Sequence, residues 1–337
     1  MADTQFAEGP RTGALSVPRM LPGHPVFMLS GQGSQKPGMG ESLLDLPEVA
    51  EVFSCASDVL GYNVADLVSN ASADQLNDTR YAQPALCALS IGAARALEAR
   101  GVEPIAVLGF SLGQVSALAV SGMLSDEATF AFVRERSRLM AEAAATQPGA
   151  MSALLKADEE SVRALCAECA QGGVLVPANY NCPGQIVVSG TPEAIERIEA
   201  AWADQGGRFS RLATSGGFHS PLMADAAVEL ARYLDGVELA EPCVPLICNL
   251  SAAPLDAASA RTRLVEHLTG PVRFQQSIEA LAAAGADTFV EAGYGGVLAN
   301  LVKRIDRGFT RCCVQDRTSL EACVATCCAA DSEEETL

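Results

Sequence analysis

Residues 105–121, IAVLGFSLGQVSALAVS, constrain the fold more than any other stretch of the chain. The apolar residues 105–108 are typical of a buried strand, and the small residues after Gly113 predict a helix. Between them lies the G-x-S-x-G pattern of a nucleophile elbow, a sharp turn that exposes the hydroxyl of Ser111. In such a turn the Leu112 N–H is placed to donate to an oxyanion. An ordinary strand-to-helix turn is the competing interpretation.

Strand and helix patterns alternate on both sides of this stretch. Strands are predicted at residues 26–29, 245–249, 288–291 and 310–314, and helices at 47–60, 83–100, 125–145, 257–268, 275–284, 297–305 and 319–329. Such alternation implies a parallel sheet covered on both faces, with its chemistry at the carboxyl ends of the strands. The predicted fold class is therefore α/β, with a parallel-sheet core of the α/β-hydrolase type.

Residues 149–213 interrupt this alternation. The predicted order is strand 151–156, helix 158–171, strands 174–178 and 185–189, helix 191–206 and strand 208–213, which is the ferredoxin-like β-α-β-β-α-β order. We therefore predict a small ferredoxin-like subdomain at 149–213 and a large α/β subdomain made of 25–148 and 214–330. Residues 1–24 are predicted to be a flexible tail, and residues 331–337 an acidic tail.

The charge of the chain argues against one class of partner. Lys and Arg number 23 against 41 Asp and Glu, a formal net charge of −18, whereas nucleic-acid binding needs clustered cations. No apolar run reaches the roughly 18 residues of a membrane span, and the first residues lack signal-peptide order. We expect a cytoplasmic protein without a nucleic-acid or membrane partner. The cluster of Lys303, Arg304 and Arg307 is either a site for an anionic partner or a solvated helix end.

The chain has twelve cysteines, but their distribution does not suit a small disulfide-stapled scaffold. The densest group is Cys312, Cys313, Cys323, Cys327 and Cys328. No histidine adjoins this group, and its spacing matches no zinc pattern. We therefore expect no metal site and treat these cysteines as small apolar residues.

A glycine-rich loop, SGQGSQ at residues 30–35, follows the first predicted strand. Its spacing fits neither the dinucleotide-binding G-x-G-x-x-G pattern nor a Walker loop, so a phosphate cradle is not predicted. The loop can instead supply a second oxyanion donor. Gln32 is the natural candidate for that N–H.

One charged side chain lies on an apolar helix stripe. Arg136 is four residues from both Phe132 and Met140, so it shares their core-facing side. A buried charge requires a partner. That partner is either a substrate carboxylate, held bidentately, or an internal salt bridge, and the sequence leaves both open.

A nucleophilic serine needs a general base, and the chain offers three histidines. His24 lies in a Pro/Gly-rich lead-in, and His267 near a helix end, where a cation complements the dipole. His219, in a loop after the small subdomain, is the candidate, against the alternative of a surface or capping histidine. No loop carboxylate lies between Ser111 and His219, so a dyad oriented by a backbone carbonyl fits better than a triad.

Eight short motifs or single residues follow one another along the chain: SGQGSQ at 30–35, YAQPAL at 81–86, GFSLG at 109–113, Arg136, ANYNCPGQ at 178–185, FHSPLM at 218–223, GPVRF at 270–274 and EAGYGGVL at 291–298. In this order and spacing they resemble the malonyl-CoA:acyl carrier protein transacylases and the acyltransferase domains of polyketide synthases. The resemblance runs from about residue 26 to about residue 328.

The resemblance implies a ping-pong acyl transfer, which in a free-standing chain suggests fatty acid synthesis. Ser111, deprotonated by His219, would attack the thioester of malonyl-CoA, and the N–H groups of Gln32 and Leu112 would hold the oxyanion. The phosphopantetheine thiol of acyl carrier protein would then take the malonyl group. Arg136 would bind the malonyl carboxylate.

The resemblance also implies a set of supporting residues. Gln83, Phe110 and Phe218 would line the substrate pocket. The main-chain carbonyl of Arg273 would orient the histidine, with assistance from Asn249. No cofactor is expected beyond malonyl-CoA and the phosphopantetheine of the carrier, and a monomer is the expected state.

Three positions depart from the usual family pattern. Phe110 stands where a histidine is usual, and Gly216 where malonyl-specific members carry the first histidine of His-Ala-Phe-His. The retained Phe218 still suggests no room for a methyl branch on the substrate. Tyr294 replaces the usual proline and is expected to affect turn geometry alone.

Other functions stay open at this point. A serine esterase or thioesterase would share the elbow but pass the acyl group to water, and it would have no need of Arg136. A trans-acting polyketide acyltransferase would use the same chemistry with a different carrier. A catalytically silent docking protein would form no acyl-serine at all.

Overall fold

The computed structural model describes residues 16–334, with side chains for residues 16–328. Residues 1–15 and 335–337 of the two predicted tails lie outside the described residues. The strands are β1 (Pro25–Leu29), β2 (Ala106–Gly109), β3 (Ala150–Ala157), β4 (Leu175–Cys182), β5 (Gly184–Gly190), β6 (Arg208–Arg211), β7 (Leu246–Ile247), β8 (Thr288–Ala292) and β9 (Thr310–Val314). The helices are α1 (Pro47–Leu60), α2 (Val64–Asn70), α3 (Ala73–Asn77), α4 (Thr79–Glu98), α5 (Gly113–Val120), α6 (Asp126–Thr146), α7 (Glu159–Ala170), α8 (Pro192–Asp204), α9 (Ala224–Leu234), α10 (Ala257–Glu266), α11 (Phe274–Ala283), α12 (Val297–Ile305) and α13 (Arg317–Glu334).

A five-stranded parallel sheet of order β7-β2-β1-β8-β9 forms the centre of the large part. Every residue of β1 is buried, as expected for a strand with helices on both faces. At its carboxyl end, Leu29 of β1 pairs with Gly109 of β2 and with Ala292 of β8. The loops that follow these three strands therefore meet at one edge, and the predicted parallel α/β core is confirmed.

Two long helices bring further side chains to that edge. The central helix α4 is almost entirely buried, and its N-cap Asp78 accepts from the N–H of Arg80. Helix α6 is capped by Ser125, whose hydroxyl accepts from the N–H of Ala128. The two helices pack against each other, and this packing places Gln83 of α4 beside Arg136 of α6.

The small part is an antiparallel sheet of order β4-β5-β3-β6, which is the ferredoxin-like order. Helices α7 and α8 cover it, around a core that includes Leu154, Ile195 and Trp202. The predicted ferredoxin-like topology is confirmed, whereas the domain boundaries stay a prediction. Two main-chain bonds join this sheet to the large part, from the Tyr180 N–H to the Val272 carbonyl and from the Val272 N–H to the Ala178 carbonyl.

The structure differs from the predicted elements at a few ends. Helix α4 begins at Thr79 rather than Gln83, because Asp78 caps it and Pro84 is accommodated inside the helix. The short helices α2 and α3 were not predicted. Within the range predicted as a flexible tail, Met20 is buried and its N–H donates to the Ala284 carbonyl. In the described part of the chain, no helix is long and apolar enough to cross a membrane.

Candidate active site

The turn between β2 and α5 has the geometry of a nucleophile elbow. Ser111 has a φ of 53°, a left-handed conformation that is strained for a residue with a side chain. A Cβ on Gly109 would lie 1.8 Å from the main-chain carbon of Gly113, and one on Gly113 would lie 2.0 Å from the Leu29 carbonyl oxygen. Both flanking glycines are therefore required by close backbone approach.

Asn249 holds this strained turn from the end of the neighbouring strand. Its Oδ1 accepts from the main-chain N–H of Ser111 at 2.8 Å, and its Nδ2 donates to the Gly109 carbonyl at 2.6 Å. The prediction that Asn249 assists the histidine is wrong. The parallel pairing of β7 with β2 places its amide against the serine turn instead.

The hydroxyl of Ser111 lies 2.7 Å from Nε2 of His219. Nδ1 of the same ring donates to the carbonyls of His267, at 2.9 Å, and Gly270, at 3.1 Å. These two acceptors keep the proton on Nδ1, so Nε2 is left as the acceptor that a general base needs. The structure thus brings the predicted serine and histidine together, and no carboxylate of the described residues bonds to His219.

The prediction that the Arg273 carbonyl orients His219 is wrong. That carbonyl accepts from the N–H and the hydroxyl of Ser277, because Arg273 is the N-cap residue of α11 and its carbonyl points into the helix. The orienting carbonyls come from His267 and Gly270, a few residues earlier.

His267 is part of the site rather than an exposed helix end. Its side chain is buried, and its ring lies 4.9 Å from the ring of His219, centroid to centroid. Burial, together with the neighbouring His219 and Arg136, lowers the pKa of His267 well below its usual range. The ring is therefore neutral at physiological pH, so the expectation of a dipole-complementing cation at this position is wrong.

His219 is 2% exposed, and burial lowers its pKa to about 4, with a further contribution from the positive charge of Arg136. A pKa this low keeps the ring neutral and its Nε2 able to accept the serine proton across the physiological range. The same electrostatics make the imidazolium form costly until a negative charge enters the site.

The two predicted oxyanion donors are Leu112, directly after the serine, and Gln32, whose neighbour Gly31 packs against Phe110. Among the described residues, neither the Leu112 N–H nor the Gln32 N–H donates to a protein acceptor. The loop that carries Gln32 follows β1, directly beside the elbow strand β2. Both N–H groups are thus available to a ligand oxygen.

Arg136 is 2% exposed, and its Nη1 donates to Oε1 of Gln83 at 2.6 Å. Its Nη2 is buried without a hydrogen-bond partner, and none of the salt bridges among the described residues involves this side chain. Burial lowers its pKa to about 10, which still leaves it charged. An internal salt bridge is therefore excluded within the described chain.

Residues 26–318 match the family model described as acyl transferase domain. The chain is 38% identical to the malonyl CoA-acyl carrier protein transacylase of Bacillus subtilis over 304 residues, 89% of this chain and 96% of that protein. It is 37% identical to the protein of the same name from Salmonella typhimurium over 300 residues, with coverage of 88% and 97%. The chain belongs to the malonyl CoA-acyl carrier protein transacylase family.

Solved structures of this family have the same fold. The malonyl-CoA:acyl carrier protein transacylase of Xanthomonas oryzae pv. oryzae superposes with a TM-score of 0.87 at 37% identity, covering 91% of this chain and 99% of that chain. A malonyl-transacylase solved in complex with its type II PKS acyl-carrier protein has a TM-score of 0.86 at 36% identity, with coverage of 90% and 99%.

The transacylase site departs from the usual family pattern at Tyr294, and the consequence is more than turn geometry. The Tyr294 N–H donates to the hydroxyl of Ser30 at 3.1 Å, a bond that a proline could not make. Ser30 in turn donates to Oε1 of Glu291 at 3.2 Å. Burial raises the pKa of Glu291 to about 7, and its other oxygen accepts from the Ala299 N–H. This network fixes Ser30, at the start of the loop that carries Gln32.

The other two departures are steric. Phe110 packs edge-on against Phe274, with ring centroids 5.6 Å apart, where the family's usual histidine would bring a polar group. A Cβ on Gly216 would lie 2.6 Å from Cβ of Ala144 on α6, so a histidine at this position requires the loop or the helix to shift. Phe218 is buried beside Gly216.

The structure adds residues that sequence reasoning missed. Thr79 and Ser215 are hydrogen-bonded to each other, and Thr79 also accepts from the side chain of Gln32. The signal that could have indicated Thr79 is Asp78, a typical helix N-cap residue directly before it.

The cluster of Lys303, Arg304 and Arg307 is exposed and lies at the end of α12. Among the described residues, no group of three or more histidine, cysteine or carboxylate side chains is arranged to hold a metal.

Proposed function

We propose that this chain transfers a malonyl group from malonyl-CoA to the phosphopantetheine thiol of acyl carrier protein, through a malonyl ester on Ser111, for fatty acid synthesis. The observation that carries the proposal is the buried Arg136, which retains a donor with no partner in the described protein. A buried cation of this kind suits an acyl group that ends in a free carboxylate.

In the first half-reaction, the Ser111 hydroxyl passes its proton to Nε2 of His219 as its oxygen attacks the thioester carbon. The N–H groups of Gln32 and Leu112 stabilise the resulting oxyanion. The carbon–sulfur bond then breaks, and the departing CoA thiolate takes the proton from His219. The product is the malonyl ester of Ser111 with neutral His219 restored.

The second half-reaction runs the same steps with a different thiol. The carrier's phosphopantetheine thiol gives its proton to His219, and its sulfur attacks the ester carbon. The carbon–oxygen bond to Ser111 breaks, and the serine oxygen recovers the proton. Because the same base and oxyanion donors serve both halves, no further cofactor is needed.

The carboxylate also helps the base. Its negative charge, placed against Arg136, offsets the positive charge that lowers the pKa of His219. The histidine therefore becomes a stronger base when malonyl is bound than when the site is empty. Substrate charge thus contributes to catalysis as well as to selection.

The carrier is an acidic partner in this proposal, and the exposed cations Lys303, Arg304 and Arg307 are its proposed contact on an otherwise acidic chain. A cytoplasmic monomer without membrane or nucleic-acid partners and without a bound metal completes the proposal.

A type II polyketide carrier is the second candidate acceptor. It is favoured by one observation, the relative at 36% identity that was solved with a type II PKS acyl-carrier protein. Parallel transfer assays with a fatty acid carrier and a polyketide carrier distinguish the two. A serine thioesterase is the third candidate, and it would release malonate to water.

The deciding experiment is the intact mass of the protein after mixing with malonyl-CoA. We expect wild type to gain one malonyl group and to lose it when the carrier is added, and Ser111→Ala to gain none. An adduct that persists in Ser111→Ala contradicts the assignment of Ser111 as the nucleophile. Release of malonate that is as fast without the carrier as with it supports the thioesterase. Methylmalonyl-CoA and acetyl-CoA, run alongside, measure acyl selectivity.

A further inference from the structure

A chain of side-chain hydrogen bonds links Arg136 to the loop that carries Gln32. Arg136 donates to Oε1 of Gln83 at 2.6 Å, and Nε2 of Gln83 donates to Oε1 of Gln32 at 3.1 Å. Nε2 of Gln32 donates to the hydroxyl of Thr79 at 3.1 Å, and that hydroxyl lies 3.0 Å from the hydroxyl of Ser215. The chain thus runs from a buried cation to an exposed serine.

The donors and acceptors of these side chains allow this chain of hydrogen bonds only one direction of donation. A guanidinium only donates, so Gln83 must present its oxygen to Arg136 and its amide NH₂ to Gln32. Gln32 must then present its oxygen to Gln83 and its own NH₂ to Thr79. The orientation of both amides is therefore set at one end by Arg136, and Thr79 is the acceptor that the far end requires.

The loop at Gln32 depends on such side-chain bonds. Residues 30–35 belong to no strand or helix, and Gln32 and Gly33 form a turn. Side-chain bonds add to the support of this loop: the Ser34 hydroxyl donates to the Gly31 carbonyl, and the Gln35 side chain donates to the Asn77 side chain of α3. The Gln32 side chain ties the middle of the loop, where the oxyanion N–H lies, to α4.

We propose that Thr79 is a positioning residue, which holds the Gln32 side chain at the end of this one-way chain and thereby keeps the Gln32 N–H in place for the oxyanion. The inference rests on the proposed acyl transfer and adds to it. Recognition of the acyl carboxylate at Arg136 and stabilisation of the oxyanion at Gln32 are coupled through Gln83. Thr79 contacts neither substrate group in this scheme, so its effect is exerted through Gln32.

The test uses Thr79→Val, which keeps the shape of the side chain and removes its hydroxyl, and Thr79→Ser, which restores the hydroxyl. The readout is the rate of Ser111 acylation in single-turnover experiments, followed by intact mass. Acetyl-CoA is the donor, because its acylation does not require a carboxylate at Arg136. We expect Thr79→Val to slow acylation about tenfold with KM within about twofold, the effect of one lost hydrogen bond. Thr79→Ser is expected to stay within about twofold of wild type.

Measuring Thr79→Val in the Arg136→Ala variant distinguishes a positioning role of Thr79 from a role in folding alone. In Arg136→Ala nothing sets the direction of the amides, so adding Thr79→Val should slow acetylation by less than about twofold. Thr129→Val is the matched control, since Thr129 is a buried threonine on α6 whose hydroxyl has no hydrogen-bond partner among the described residues. It is expected to acylate like wild type.

Three results would overturn the inference. They are an equal effect of Thr79→Val in both backgrounds, an equal loss in Thr79→Ser, and no loss in Thr79→Val. Failure of the proposed function gives a separate result. A wild-type protein that accepts acetyl but never malonyl contradicts malonyl transfer. The acetyl-CoA comparison of the Thr79 variants still tests the chain of hydrogen bonds.

Discussion

The two halves of the site are built in opposite ways. Around Ser111 and His219 the protein supplies the partners itself, since Asn249 takes the serine N–H and two carbonyls take the imidazole N–H. Around Arg136 the described residues supply one partner for a buried guanidinium and leave another donor unpaired. In the proposed function, the groups that react are thus held in place before substrate binds. The group that selects the acyl chain gains its missing partner only from the substrate carboxylate.

We expect the largest effect from removal of the Arg136 side chain, which forms the incomplete half of the site. In Arg136→Ala, malonyl transfer should fall about 1000-fold, because the substrate carboxylate would be buried without a cation. Acetyl transfer should fall only about tenfold, because this donor loses the hydrogen bonds that position the Gln32 N–H and no carboxylate contact. Competition between malonyl-CoA and acetyl-CoA, followed by the mass of the acyl-serine, measures both. An equal loss with both donors would mean that Arg136 supports the fold and not the carboxylate.

The next effect weakens the pre-organised half. Asn249→Ala removes the two bonds that hold the left-handed serine, so kcat should fall about 100-fold for malonyl and acetyl donors alike. KM for malonyl-CoA should change little, since the carboxylate contact is untouched. Steady-state kinetics with both donors make the comparison, and Asn70→Ala, an exposed amide on α2, is the control. Loss confined to the malonyl donor would contradict the separation of the two halves.

The smallest effect measures the influence of one half on the other. Because Arg136 helps to lower the pKa of His219 to about 4, wild-type kcat/KM for acetyl-CoA should stay flat until the pH approaches that value. Removing the positive charge in Arg136→Ala raises the pKa of His219 toward its usual 6.5, so the acidic limb moves to higher pH. We expect a displacement of about one pH unit. Superimposable profiles would show that the two groups are electrostatically independent.

Local chemistry in the sequence was enough to predict the elbow and Arg136. The glycines flanking Ser111 are demanded by contacts within one turn and the adjacent strand, and Arg136 follows from the period of a single helix. The ferredoxin-like order was equally readable, because each of its strands and helices has its own pattern.

The residues that orient His219 could not be predicted in the same way. Which main-chain carbonyl faces the imidazole depends on how residues 267–273 turn between two helices, and every residue type carries a carbonyl. The assignment to Arg273 therefore missed His267 and Gly270 by a few positions. Thr79 was missed because the apolar periodicity predicted a helix only from Gln83, whereas Asp78 caps a helix that begins at Thr79.

The two main-chain bonds between Val272 and strand β4 have a practical consequence for engineering. They attach the small sheet to the same short segment whose Gly270 carbonyl orients His219. A hybrid enzyme that exchanges the small sheet for that of another relative would replace one side of this seam and keep the other. Such exchanges should therefore include residues 267–273 together with the sheet, so that the carbonyls that accept from His219 keep their position relative to it.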